Sequence, residues 1–397
     1  MSTFSRIRSL VVATALIMLL TVGSRGAAPV KITDPTSVVM IVNRDSNDLA
    51  FMDIKTRKMI GSVFLGKNVN PHMVMMSPDG RYVVTGGTRS NKAYIVDAAT
   101  LQLVKVIPVD FAPEHLAFSP DGRWYYQGNP EGDSVSVIDM VSLTKVKTIN
   151  GLKSPLNVTF TPDGSKAYVG NYGAHWVGVI DVRRHELVKK IEVANFPGFA
   201  LLDPERYLLN EPQGINIAMF SPDGKTLYAA DGDLGVVSVI DPREDKVTKI
   251  IRVGKNPWRV YMGHDGKYAI VPNNGDQTIT IIDIRANKVA ATLEAGPDMT
   301  GVNFAGNKAF VISSTTGMVY VYNMNTLTPS GRLRIGLNIQ LETATTDTKE
   351  ENLYLADSTE NAVVIINAKT EAVEKVYNVG IFPWGTHIMD SKDNYCH

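Results

Sequence analysis

Cysteine is almost absent from this chain: Cys396 is the only one among 397 residues. An intramolecular disulfide is therefore impossible, and the fold must be held by its apolar core. Charge of one sign is also lacking in excess. Lys plus Arg and Asp plus Glu both number 40, so the basic surplus of a typical nucleic-acid binder is missing. Beyond residue 28 no apolar run approaches the roughly 20 residues that span a bilayer. Walker loops, the dinucleotide glycine fingerprint, His-Glu-x-x-His, Gly-x-Ser-x-Gly and EF-hand loops are all missing. Cys396-His397 looks like the end of a c-type haem attachment motif, but Asp393 stands where the first cysteine belongs. No covalent haem is expected on this chain.

The N-terminus differs in character from the rest. Arg6 and Arg8 precede an apolar run from Leu10 to Val22, and Gly26-Ala27-Ala28 supplies small residues for cleavage. Residues 1–28 are expected to be a secretory signal peptide. Residues 29–397 would then be a single domain without a membrane span, placed in the periplasm or an equivalent compartment.

One pattern recurs from residue 70 onward. Its clearest copy has a strand at Val158–Thr161, the turn Pro162-Asp163-Gly164, a strand at Ala167–Gly170, a third at Val177–Ile180 closed by Asp181, and an alternating outer strand at Leu187–Ile191. Glycine at the turn supplies a positive φ, and period-two alternation suits a half-exposed strand. The turn recurs as Pro78-Asp79-Gly80, Pro120-Asp121-Gly122 and Pro222-Asp223-Gly224, persists as His264-Asp265-Gly266, and is degraded at Ala305-Gly306-Asn307 and Lys349-Glu350-Glu351. Asp53, Asp97, Asp139, Asp181, Asp241, Asp283, Asn323 and Asn367 close the third strands, with gaps of 44, 42, 42, 60, 42, 40 and 44. A four-stranded unit with that period is a propeller blade.

The ends complete each other. Val38–Val42, Leu49–Asp53 and Met59–Leu65 read as the second to fourth strands of a blade, and Pro383–Ile388 reads as a first strand. A blade shared between the termini would close the ring and remove the open seam. The expected fold is an all-β propeller of four-stranded antiparallel blades, eight by count and seven if a weak unit near 305 or 350 is irregular.

In such a ring the innermost strands line a central channel, and position-matched residues there are the first place to seek a site. Counting back from each turn gives His72, then Glu114 and His115, Asn157, Trp258 and Arg259, Asp298, and Trp384 with His387 nearby. The histidines suit zinc, copper or iron, and Glu114 is placed to orient His115. A wet channel lined by polar groups without a ligand is the competing reading. His264 reads as an exposed turn residue, His185 as part of a surface turn, and His175 as part of a lengthened loop that is solvent-exposed or touches a partner. The gap of 60 contains a long loop near 195–213 with Phe196, Phe199, Leu201, Leu202, Tyr207 and Leu208. Its apolar content points to packing on its own blade, to a contact with another subunit, or to a lid over the channel.

The strands Lys166–Asn171 and Val177–Asp181, together with the Pro-Asp-Gly turns, resemble the YVTN family of β-propellers over nearly the whole mature chain. As a whole the chain is most similar to the haem-free propeller subunits of hydrazine synthase from anaerobic ammonium oxidation. That resemblance implies a non-catalytic docking subunit without a cofactor of its own. It implies partners that are multi-haem cytochrome-type subunits in a hetero-oligomer, and an anammoxosome lumen location. The alternative is a haem-binding or redox propeller enzyme, or a maturation protein, resembling the haem-d propeller of cytochrome cd nitrite reductase. There His72, His115 or His387 would ligate iron. A lactonase-like hydrolase is a weaker third reading, for which the chain offers no nucleophile.

Overall fold

A computed structural model describes residues 32–193, 213–337 and 340–393. The expected signal segment, the loop residues Phe196, Phe199, Leu201, Leu202, Tyr207 and Leu208, and Cys396 lie outside the described residues.

Eight four-stranded antiparallel sheets form the ring. Blade 1 runs from Pro71 to Pro108, blade 2 from Leu116 to Asn150, blade 3 from Pro155 to Glu192 and blade 4 from Ile215 to Arg252. Blade 5 spans Tyr261 to Glu294, blade 6 Met299 to Arg334 and blade 7 Leu341 to Tyr377. Blade 8 is the shared one: Val38–Asn43 pairs with Asp48–Asp53 on one edge and with Pro383–His387 on the other, Ile41 opposite Thr386. The units near 305 and 350 are complete sheets, so the count is eight. Their turns lost the motif and kept the conformation. Gly306 (φ +56°) and Glu350 (φ +58°) take the left-handed backbone that Gly80 (φ +69°) takes in the intact turn.

Local chemistry explains the recurring residues. Ser77, Ser119, Thr161 and Ser221 each donate a hydroxyl to the turn aspartate at 2.5–2.7 Å. That same aspartate accepts a backbone N–H two residues on. The aspartates closing the third strands do likewise, as in Thr100 N to Asp97 (2.9 Å) and Arg184 N to Asp181 (2.9 Å). These are Asx turns, which satisfy backbone donors that the sheet cannot.

Blades pack face to face, so middle strands such as Tyr82–Gly87 are buried on both faces. Outer strands such as Glu186–Glu192 are largely exposed. Their lysines discourage edge-to-edge pairing. Buried tyrosines latch one blade to the next. Tyr126 Oη meets His185 Nδ1 at 2.7 Å, Tyr168 Oη donates to Asp245 at 2.6 Å, and Tyr228 Oη donates to Asn287. His185, in its surface turn, is therefore a half-buried inter-blade latch.

Beyond Ile388 the chain crosses the ring on the face carrying the Pro-Asp-Gly turns. Asp393 accepts from His264 Nε2 in blade 5 (2.7 Å), Asn303 Nδ2 in blade 6 (3.0 Å) and Thr346 Oγ1 in blade 7. Glu350 meets His264 Nδ1 (3.0 Å) and Lys392 (2.6 Å). The expectation of an exposed His264 is overturned: it is clasped by a carboxylate 129 residues away in sequence. His175 is likewise no solvent-exposed residue, since its Nδ1 meets the buried Asp231 carboxylate at 2.6 Å.

Candidate functional site

In blades 1, 3 and 4 the channel positions fall on an irregularity of the innermost strand. Pairing skips from Pro71 to Val74 in blade 1, from Pro155 to Val158 in blade 3, and from Ile215 to Ala218 in blade 4. The skipped residues, His72-Met73, Leu156-Asn157 and Asn216-Ile217, bulge where the strand meets the channel mouth. Bulges re-aim side chains, which is why they recur beside sites. Glycine in the preceding blade makes room for them. A Cβ on Gly128 would lie 2.4 Å from Leu156 O, and one on Gly170 2.5 Å from Asn216 O.

Blades 8, 1 and 2 bring one cluster together. Trp384 Nε1 donates to His72 Nε2 at 3.2 Å, and the His72 and His115 ring centroids are 6.2 Å apart. Arg44 lies with its guanidinium carbon 4.2 Å from the Trp384 ring centroid and donates to Asn70 Oδ1 (3.1 Å), while Phe382 stacks on Trp384. An indole cannot accept, so His72 Nε2 must offer its lone pair and the neutral ring carries its proton on Nδ1. Burial holds the His72 pKa well below the ordinary value, and the neighbouring charges of His115 and Arg44 push the same way. His72 Nδ1–H is thus a buried donor, and it has no hydrogen-bond partner.

Two further groups at the same register share that condition. Trp258 Nε1 in blade 5 and the side-chain amide of Asn216 in blade 4 are buried without partners. Blades 1 and 5 are opposite in an eight-membered ring, so His72 and Trp258 face the channel from opposite sides. Glu114 belongs to the His72 side. Burial raises its pKa to about 7, against the opposing charge of Arg44.

The remaining candidates separate. Arg259 is buried beside Trp258 and Tyr261. Asp298 is exposed and accepts from Thr315 Oγ1 on the connection between the second and third strands of blade 6. Asn157 and His387 line a different cavity of about 450 Å³, bordered by Pro78, Pro120 and Asp390 on the face of the Pro-Asp-Gly turns. Among the described residues no group of three or more His, Cys, Asp or Glu side chains could hold a metal ion, and no helix is long and apolar enough to cross a membrane.

Arg44, Asn70 and Phe382 escaped the sequence reading. Arg44 had a signal: it follows the second strand of its blade, where the other blades carry Thr88, Pro130, Tyr172, Gly232, Asn274, Ser314 and Ser358. It is the only charged residue at that position.

Comparison with known proteins is consistent with this architecture. Residues 66–209 match the lactonase family described as a 7-bladed β-propeller, a match to part of the chain. No curated protein matches in sequence. Among solved structures, dihydro-haem d1 dehydrogenase NirN in complex with DHE is similar with a TM-score of 0.74 at 18% identity, covering 90% of this chain and 76% of that one. Kuenenia stuttgartiensis hydrazine synthase is similar with a TM-score of 0.56 at 23% identity, covering 79% and 97%. A protein of unknown function from Desulfotomaculum acetoxidans DSM 771 is similar with a TM-score of 0.56 at 12% identity, covering 89% and 98%. At these identities the likeness shows the propeller fold.

Proposed function

We propose that this propeller is a redox-related binding protein that holds a planar, carboxylate-bearing tetrapyrrole of the haem-d class at its channel mouth. The observation that carries the reading is the buried His72 Nδ1–H without an acceptor, set beside the Arg44 guanidinium and the Trp384 face. A buried donor without a partner costs about 1–3 kcal/mol, a cost that an arriving acceptor removes. Arg44 supplies charge for a carboxylate, Trp258 offers a second N–H across the channel, and the indole faces suit a conjugated ring. Glu114, near half-protonated at neutral pH, can donate as well as accept. These groups fit the rim of such a macrocycle; its iron would contribute one-electron chemistry when bound. His72 as placed offers a donor, so its role is to hold the rim rather than to ligate iron. The likeness to a dihydro-haem d1 dehydrogenase solved in complex with DHE supports the same reading.

The test is titration with metal-free coproporphyrin, a planar tetracarboxylate, followed by tryptophan fluorescence. Saturable quenching at one equivalent is expected, with affinity at least tenfold weaker in Arg44→Met and falling with added salt. Absence of saturation, or equal affinity in Arg44→Met, would overturn the proposal.

A second reading, a docking subunit among haem-bearing partners, is favoured by a separate feature. Phe111, Leu337 and Ile381 are 59%, 74% and 56% exposed, all on connections that lead into innermost strands. Copurification of multi-haem chains with the native, colourless propeller would support it.

A further inference from the structure

The face of the Pro-Asp-Gly turns carries a second feature, which the binding reading does not use. The C-terminal segment leaves blade 8 there and ends its crossing on blades 5, 6 and 7, where Asp393 is held. The other side of the channel is the cavity of about 450 Å³, bounded by blades 8, 1, 2, 3 and 4 and by Met389 and Asp390 of the crossing segment. The crossing thus turns this end of the channel into a one-sided pocket.

Its walls are apolar and set in advance. Met75 and Phe118 pack against one blade core, and Phe160, Met219 and Met389 against three others. Each is half-buried, with one side in its core and the other on the shared cavity. Walls held in place by separate cores need little reordering to take a ligand, which favours binding. The volume lies within the range of small-molecule pockets, about 300–1,000 Å³.

The polar groups are few. His387 is 6% exposed and lines the cavity, and no hydrogen bond engages either of its nitrogens among the described residues. Burial lowers its pKa to about 4, so the neutral ring presents one lone pair and one N–H. Asn157 brings a buried amide to the same cavity, with a long contact of 3.5 Å to Thr159 Oγ1. Among the described residues no Lys, Arg or Glu lines the cavity, and its one carboxylate, Asp390, is exposed at the rim. An anion would find no cation there, and a cation would lose its water for a single rim charge, so a neutral occupant fits best. Thioethers and phenyl rings suit an aromatic ring. The imidazole lone pair suits a hydroxyl donor.

We propose that this cavity binds an uncharged aromatic alcohol of the phenol class, its ring within the apolar walls and its hydroxyl donating to His387. This site uses none of the residues assigned to tetrapyrrole binding, so either proposal can fail alone.

The experiment is calorimetric titration of the full mature chain with 2-naphthol, 2-naphthoate and naphthalene, which share one ring system. One equivalent of 2-naphthol is expected to bind, with 2-naphthoate at least tenfold weaker and naphthalene at least threefold weaker. His387→Leu should reduce 2-naphthol to the affinity of naphthalene and leave naphthalene unchanged. Methionine-methyl NMR places the ligand: ring-current shifts are expected at the Met75, Met219 or Met389 methyls, each assigned from its leucine exchange, a change that cores tolerate. The ligand series and the NMR use the unaltered protein, so they decide the matter if His387→Leu misfolds. Absence of saturable binding would overturn the site, showing a cavity that holds only water. So would 2-naphthoate or naphthalene binding as tightly as 2-naphthol, or shifts confined to other methionines.

Discussion

Replacing Asp393 by Asn tests whether the C-terminal crossing is a clasp that holds the closed ring. Asp393 is 1% exposed and accepts from three blades, and its partner His264 is 9% exposed at the side chain. Burial by itself would lower the His264 pKa; the hydrogen bond and charge of Asp393, joined by Glu350, outweigh it and raise the pKa. The contact therefore favours the protonated imidazole, whose two nitrogens both face carboxylates. Breaking a buried pair by removing one partner costs about 3–5 kcal/mol. Taking 3 kcal/mol, and about 1.4 kcal/mol per decade, the opening equilibrium of residues 389–393 rises by roughly two decades. Amide hydrogen exchange read on the peptide containing these residues reports that equilibrium directly. The pH sign follows from the raised pKa. The stabilisation is complete below the unfolded value near 6.5 and is lost as pH rises through the higher folded value. Protection, corrected for intrinsic exchange, should fall from pH 6 to pH 9 in the wild type and change little in Asp393→Asn. Protection within threefold of wild type in the variant at pH 6 would refute the clasp.

Glu114→Gln should stabilise the protein at pH 8 by up to about 3 kcal/mol, as judged by urea midpoints. The folded carboxyl holds its proton up to about pH 7, so wild-type stability falls between about pH 4.5 and 7, and that fall should vanish in the variant. Tyr168→Phe removes the latch to Asp245 and the Pro242 carbonyl and should cost about 1–2 kcal/mol in the same assay. Tyr94→Phe should cost less, because its hydroxyl meets only the half-buried Ser90 of its own blade.

Much of the ring was legible because each blade repeats its own instructions. Pro162-Asp163-Gly164, Asp181 and the alternation of Leu187–Ile191 are local signals, each satisfied within a few residues by an Asx turn, a positive φ or a half-buried edge. Repeating them at a near-constant spacing gave the blade count, and the complementary fragments at Val38 and Pro383 gave the closure. The candidate site was legible only as a list. His72, Glu114, His115 and Trp384 were found because they share a register, and sharing a register is a sequence property.

Proximity across blades is a property of the closed ring. The cluster needed Arg44 beside Trp384, the indole N–H that fixes which nitrogen of His72 is protonated, and the separation of Asp298 and His387 from that group. None of these follows from spacing along the chain. His264 makes the same point. Its place in a degraded turn suggested exposure, and a carboxylate from the far end of the polypeptide buried it. Local hydrogen bonding within each repeat fixed the blades; long-range packing of the ring chose the neighbours of every ionisable group in the channel, and with them its chemistry.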